Sequence, residues 1–177
     1  HVNPEEHHPS EDEAMQKLME IWTSFRLRGY LILLYGCTCF CITVFCLVSK
    51  QPFFFGMMIP FAISGFIILW NGIHITLTAK QAFDRIKSES GHDTLMTMTE
   101  SVLTSQIVSF RKRRTPVCVC LCLGIVAMVT SCFIDLGSLP IGLSLGLVLQ
   151  GAIVYIDSLW QGWRQAILLN ELNHQGD

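Results

Sequence analysis

Four long apolar runs dominate this chain, and they fall into two pairs. The first pair is 30–48 and 53–77, and the second is 117–134 and 141–156. The hydrocarbon core of a bilayer takes roughly 20 residues of helix to cross, and lipid cannot hydrogen-bond to an exposed backbone. We therefore expect an all-α membrane protein with four transmembrane helices arranged as two hairpins.

The composition supports a membrane setting and argues against two other classes of protein. Hydrophobic residues make up 51% of the 177 residues and charged residues 15%, which is more apolar than a soluble domain of this length usually is. The formal net charge is −2 at pH 7, whereas a nucleic-acid-binding protein would carry a marked basic excess. We therefore expect membrane lipids as partners and no nucleic acid.

The positions of lysine and arginine predict the orientation of the helices. Basic residues in short segments next to a span favour the cytoplasmic side. The two short links between paired runs, 49–52 and 135–140, carry only Lys50. Both termini and the long middle segment should therefore be cytoplasmic, while the pattern does not say which membrane is crossed. The remaining basic residues are Lys17, Arg26, Arg28, Lys80, Arg85, Lys87, Arg111, Lys112, Arg113, Arg114 and Arg164.

These expectations divide the chain into five segments. A cytoplasmic tail with an amphipathic helix occupies 1–29, and the first transmembrane hairpin occupies 30–79. A cytoplasmic helical linker follows at 80–115, and the second hairpin at 116–159. A cytoplasmic C-terminal helix and tail complete the chain at 160–177.

The segments outside the spans carry apolar stripes. Apolar residues recur at helical spacing in 15–25 and again in 95–110. The first stripe could lie on the membrane surface or pack against a partner. Gly91 should break the helix before the second stripe, and Pro116 suits the first turn of the third span.

The two halves of the chain resemble each other. Each carries a Ser-Phe-Arg-x-Arg sequence, at 24–28 and at 109–113, followed by a span with three alternating cysteines. Each then turns near a proline, Pro52 or Pro140. One interpretation is a parallel internal repeat about an axis along the membrane normal, and the other is coincidence in apolar sequence of low diversity.

Cys118, Cys120 and Cys122 begin the third span, directly after a basic cluster. Successive alternate positions on a helix turn by about 200°, so these thiols cannot gather on one metal ion, and we predict no metal site. Inert packing of small apolar side chains is the first interpretation. Palmitoylation is the alternative, because basic residues beside anionic lipid with cysteines at the interface are a common setting for it. The predicted contacts with anionic lipid are Arg111, Lys112, Arg113 and Arg114.

The fourth span carries small residues at helix-packing spacing. Gly142 and Gly146 form a GxxxG motif that Gly151 continues. Such residues let two helix backbones approach closely, either within the chain or between chains. Gln150, near the middle of the same span, is predicted to form an interhelical hydrogen bond.

Three further polar residues lie within an apolar run or directly after it: Asn71, His74 and Asp157. Polar groups in a span are functional candidates by default. Counting from the two prolines places His74 and Asp157 at similar depths, so a contact between them is geometrically feasible. It could relay a proton or respond to pH, or it could be a simple packing hydrogen bond.

No catalytic motif emerges, and no cofactor is expected. The chain has no phosphate-binding loop, nucleophile elbow or zinc-protease motif. We therefore expect a non-enzymatic accessory or scaffolding subunit that binds a larger membrane protein or a further copy of itself. The alternative is a small homo-oligomeric channel or transporter with the pore between protomers; a lipid-handling or acyl-transfer activity is a third, weaker hypothesis.

Overall fold

The computed structural model describes residues 7–88 and 91–175, which form four long helices. Helix α1 spans His7–Ser49, α2 spans Pro52–Lys87, α3 spans His92–Phe133 and α4 spans Ser138–Gln175. Each helix contains a stretch long and apolar enough to cross a membrane. The predicted all-helical, multi-pass membrane architecture is therefore confirmed at this level.

Two short connections define what we call the loop end of the bundle. After α1, Lys50 adopts a left-handed backbone with φ 56°, and Pro52 then occupies the first turn of α2, where a missing N–H costs no hydrogen bond. Between α3 and α4, Gly137 has φ 86°, and its N–H donates to the Asp135 carboxylate at 3.1 Å. We call the opposite end the terminal end; it holds the start of α1, the end of α2, the start of α3 and the end of α4.

The helices continue past the ends of the apolar runs. The expected segment boundaries at 29, 79, 115 and 159 all fall inside unbroken helix. The break predicted at Gly91 is present, but the prediction that Pro116 begins a helix is wrong, because α3 runs through it. Proline removes the hydrogen bond to the carbonyl four residues earlier. Since Pro116 is exposed, that carbonyl is not forced into an apolar interior.

The terminal end contains the main hydrophobic core. Its members come from all four helices, and the stripes of 15–25 and 95–110 supply most of them. Trp22 is 1% exposed, and its indole N–H donates to the Thr99 hydroxyl at 3.0 Å, which joins α1 to α3. The core comprises Leu18, Ile21, Trp22, Phe25, Ile75, Ala79, Ala82, Leu95, Leu103 and Leu172.

Helix packing follows a simple order. Helix α1 lies along α2, α3 lies along α4, and α2 packs on α4 to join the two pairs. Polar side-chain contacts connect α1 to α4, and we refer to this contact line as the α1–α4 seam.

Near the loop end, α2 and α4 meet through glycines. A side chain on Gly56 would collide with the Leu139 carbonyl, and one on Gly142 would collide with the Phe53 carbonyl. Four residues further along, a Cβ on Gly146 would lie 2.9 Å from Cγ of Pro60. The two backbones approach closely here because these positions lack side chains.

Candidate functional site: an arginine cluster between the helices

The α1–α4 seam contains a bidentate ion pair. Arg28 donates from Nη1 to Oδ1 of Asp157 at 3.1 Å and from Nη2 to Oδ2 at 3.2 Å. The side chain of Arg28 is 12% exposed and that of Asp157 is 42% exposed. Paired geometry of this kind is stronger and more directional than a single contact. Arg28 is therefore the partner of Asp157.

The predicted contact between His74 and Asp157 is not formed. His74 is exposed on α2, where only its backbone carbonyl accepts a hydrogen bond, from Thr78 at 2.9 Å. Asn71 is half-buried on the same helix. Counting along the two helices compares the depths of His74 and Asp157, but depth does not fix the rotation of a helix about its axis. That rotation turns His74 outward.

Two more arginines surround this ion pair. The Phe110 ring of α3 lies 5.2 Å from the Arg28 guanidinium carbon and 5.6 Å from that of Arg113. Burial lowers the pKa of Arg113 from its usual value, the charge of Arg28 lowers it further, and Asp157 opposes both effects. The local charge is therefore positive even after Asp157 is counted.

Arg114 completes the cluster with hydrogen-bonding capacity left over. Its Nη2 donates to the Ser158 carbonyl at a long 3.4 Å, and its buried Nε has no partner. The buried Nε of Arg28 also lacks a partner. An unpaired buried donor is costly, so the hydrogen-bonding capacity of both side chains is only partly used within the described residues. We refer to Arg28, Arg113 and Arg114 as the arginine cluster.

Gln150 forms the second polar link of the α1–α4 seam. It is 4% exposed, accepts a hydrogen bond from the Tyr35 hydroxyl at 2.8 Å, and donates to Sγ of Cys39 at 3.4 Å. The sequence predicts neither Tyr35 nor Cys39 as a partner of Gln150. The sequence does contain a pattern that fits these contacts. Arg28 and Tyr35 are seven residues apart, as are Gln150 and Asp157, so two antiparallel helices can form the Arg28–Asp157 and Tyr35–Gln150 contacts together.

The remaining predicted site residues lie on the bundle surface or at helix contacts. Cys118, Cys120 and Cys122 are exposed free thiols, and Arg111 and Lys112 are exposed beside them. A Cβ on Gly151 would lie 3.3 Å from Cβ of Leu121 on α3. Within the described residues, no group of three metal-ligating side chains comes together.

The chain matches no protein-family model, no curated protein and no solved structure.

Proposed function

We propose that this chain is a non-enzymatic, multi-pass membrane protein that acts as an accessory or scaffolding subunit of a larger membrane assembly, such as a channel, transporter or receptor complex. Its termini and middle connection would face the cytoplasm, as the distribution of lysine and arginine favours. The main support for the proposal is that the four candidate spans are buried within the bundle to very different extents.

Helix α3 is the least covered of the four candidate spans. Only 6% of its most apolar 18-residue stretch is buried, compared with 28% for α4. Val126 and Phe133 are among the large apolar side chains that it exposes. A face of this kind supports contact with another membrane protein, whereas the α2–α4 interface is already occupied within the chain.

The bonding of the interior polar groups also supports a structural role. Asp157 is held by Arg28, and Gln150 is held by Tyr35 and Cys39. A cavity of about 20 Å³ beside the α1–α4 seam has room for about one water molecule. These groups favour cross-linking of helices over lining a continuous aqueous path or a substrate pocket.

The two halves would form a parallel internal repeat. Gly56 and Gly142 make reciprocal contacts with the opposite helix, and Pro60 contacts Gly146 four residues further along each helix. Equivalent positions that touch are what a two-fold axis between α2 and α4 produces. The matching Ser-Phe-Arg-x-Arg sequences support the same proposal.

Photo-crosslinking from two exposed positions tests the partner face. A photoreactive residue at Val126 on α3 is compared with one at Phe66 on α2, both in native membranes. We expect Val126 to give one protein adduct of defined mass in fixed proportion, and Phe66 to give lipid adducts. Lipid adducts alone from both positions would contradict the proposal. An adduct of two identical chains, with flux through the purified protein in liposomes, would instead support the homo-oligomeric channel.

A further inference from the structure

A groove of about 300 Å³ opens between α3 and α4, and Arg114 of the arginine cluster is one of the residues that line it. Arg111 and Arg114, three residues apart on one face of α3, form its basic wall. Gly162 forms part of the opposite wall, where a Cβ would lie 2.6 Å from Nη2 of Arg114. The Arg114 guanidinium fits at this position because Gly162 has no side chain. The full lining is Ile107, Arg111, Arg114, Leu159, Gly162, Trp163 and Ala166.

The two arginines of the groove have unused hydrogen-bonding capacity. Arg111 is exposed and forms no ion pair or hydrogen bond with any described side chain. Arg114 has only its long contact to the Ser158 carbonyl, and its Nε is unpaired. No carboxylate is among the described residues that line the groove. Planar guanidinium groups with free donors match the oxygens of a phosphate.

The level of the groove along the bundle suits a lipid headgroup. Arg111 and Arg114 stand just before the apolar run of α3, and Leu159 and Trp163 stand just after the apolar run of α4. Trp160 and Trp163 are both more than half exposed, with ring centroids 5.6 Å apart. Tryptophan is enriched where a bilayer meets water. A phosphate at this level would leave its acyl chains beside the exposed apolar face of α3.

We infer that this groove is a specific site for the phosphate of one anionic glycerophospholipid, held by Arg111 and Arg114. The site differs from general attraction between a basic segment and an anionic surface, because only two of the four basic residues in 111–114 line it. The inference requires the chain to lie in a membrane. It does not depend on the accessory role, so either idea can fail without the other.

The test is a titration of the purified full chain with phosphatidylglycerol, with native mass spectrometry counting the first bound lipid. Arg111→Gln and Arg114→Gln should each weaken that binding by roughly tenfold, the effect of losing a charged hydrogen bond. Lys112→Gln removes the same charge from the same segment outside the groove. It should leave the affinity within about threefold of the unsubstituted chain, because an isolated exposed charge contributes little. Equal losses in all three variants would overturn the inference in favour of a diffuse field.

Two further arms identify the source of the phosphate and the place where it binds. Phosphatidylcholine should bind more weakly than phosphatidylglycerol, and inorganic phosphate should not compete; effective competition would reassign the groove to free phosphate. Ala166→Leu fills the groove without changing its charge, and Ala166 is exposed, so the fold should tolerate it. We expect a loss like that of Arg111→Gln. Unchanged binding in Ala166→Leu would place the lipid elsewhere.

Discussion

The guanidinium of Arg28 and the carboxylate of Asp157 join α1 to α4 through two parallel hydrogen bonds of 3.1 and 3.2 Å. The two residues are 129 positions apart and belong to different halves of the chain. Because the pair connects α1 to α4, it helps to fix the position of the two halves relative to each other. It is also the only carboxylate contact that the arginine cluster makes within the described residues.

Asp157→Asn should destabilise the bundle, because it leaves three neighbouring arginines without a counter-charge. Losing hydrogen bonds to a charged group costs about 1.5–3 kcal/mol, and the 42% exposure of Asp157 points to the lower part of that range. Thermal unfolding in detergent measures the change. Glu171→Gln is the control, since it breaks the more exposed Lys17–Glu171 pair at 3.3 Å and should cost less than about 1 kcal/mol. Equal losses of stability in the two variants would mean that the Arg28–Asp157 pair stabilises the bundle no more than an exposed ion pair does.

Gly142→Ala should destabilise the bundle by about 1–3 kcal/mol, because a methyl group would collide with the Phe53 carbonyl. Gly56→Ala should have a similar effect, since its methyl group would meet the Leu139 carbonyl. Gly91→Ala serves as the control, because nothing lies within 4 Å of its added Cβ. Thermal unfolding of the three variants decides the matter, and a Gly142 variant as stable as the Gly91 variant would show that the α2–α4 contact is looser than described.

Acylation, if present, should be confined to one end of α3. Cys118, Cys120 and Cys122 are exposed beside the basic cluster, while Cys132 is equally exposed at the loop end. Palmitoylation takes place at the cytoplasmic interface, near basic residues. Thioester-specific capture should therefore lose its signal when Cys118, Cys120 and Cys122 are replaced by alanine, and keep it when Cys132 is replaced. Capture of the triple variant at an undiminished level would exclude these residues as the acceptors.

The distribution of lysine and arginine predicts that the terminal end of the bundle faces the cytoplasm. A cysteine introduced at Lys87, near the terminal end, should react with an impermeant maleimide only after the membrane is opened. One introduced at Ser138, at the loop end, should react in the intact membrane. Both positions are exposed, and the unsubstituted chain gives the background from its native cysteines. The reverse pattern of labelling would invert the topology.

The sequence predicts the elements of this fold better than it predicts their contacts. Apolar runs determine four helices, because lipid leaves the backbone few alternatives. The helix ends at Gly91 and the two short links also follow from local chemistry. The continuation of α3 through Pro116 does not, because a proline suits a helix start equally well and local sequence does not say that the helix has already begun at His92.

The candidate site shows the same limit more sharply. Asp157 and Gln150 were recognisable as polar groups inside apolar sequence, but their partners Arg28 and Tyr35 lie more than a hundred residues away. Choosing between Arg28 and His74 as the partner of Asp157 requires knowing how each helix is rotated about its axis. Sequence spacing along one helix does not contain that information. The matching seven-residue intervals on α1 and α4 narrow the choice only when antiparallel pairing of those two helices is assumed.

The mass and composition of the complex extracted from native membrane in mild detergent test the accessory role most directly. We expect this chain in fixed proportion with a larger and different membrane protein. Replacing Val126 on the uncovered face of α3 by arginine should abolish that association while the isolated chain stays folded. A complex made only of copies of this chain, or a chain that leaves the membrane as a monomer, would contradict it.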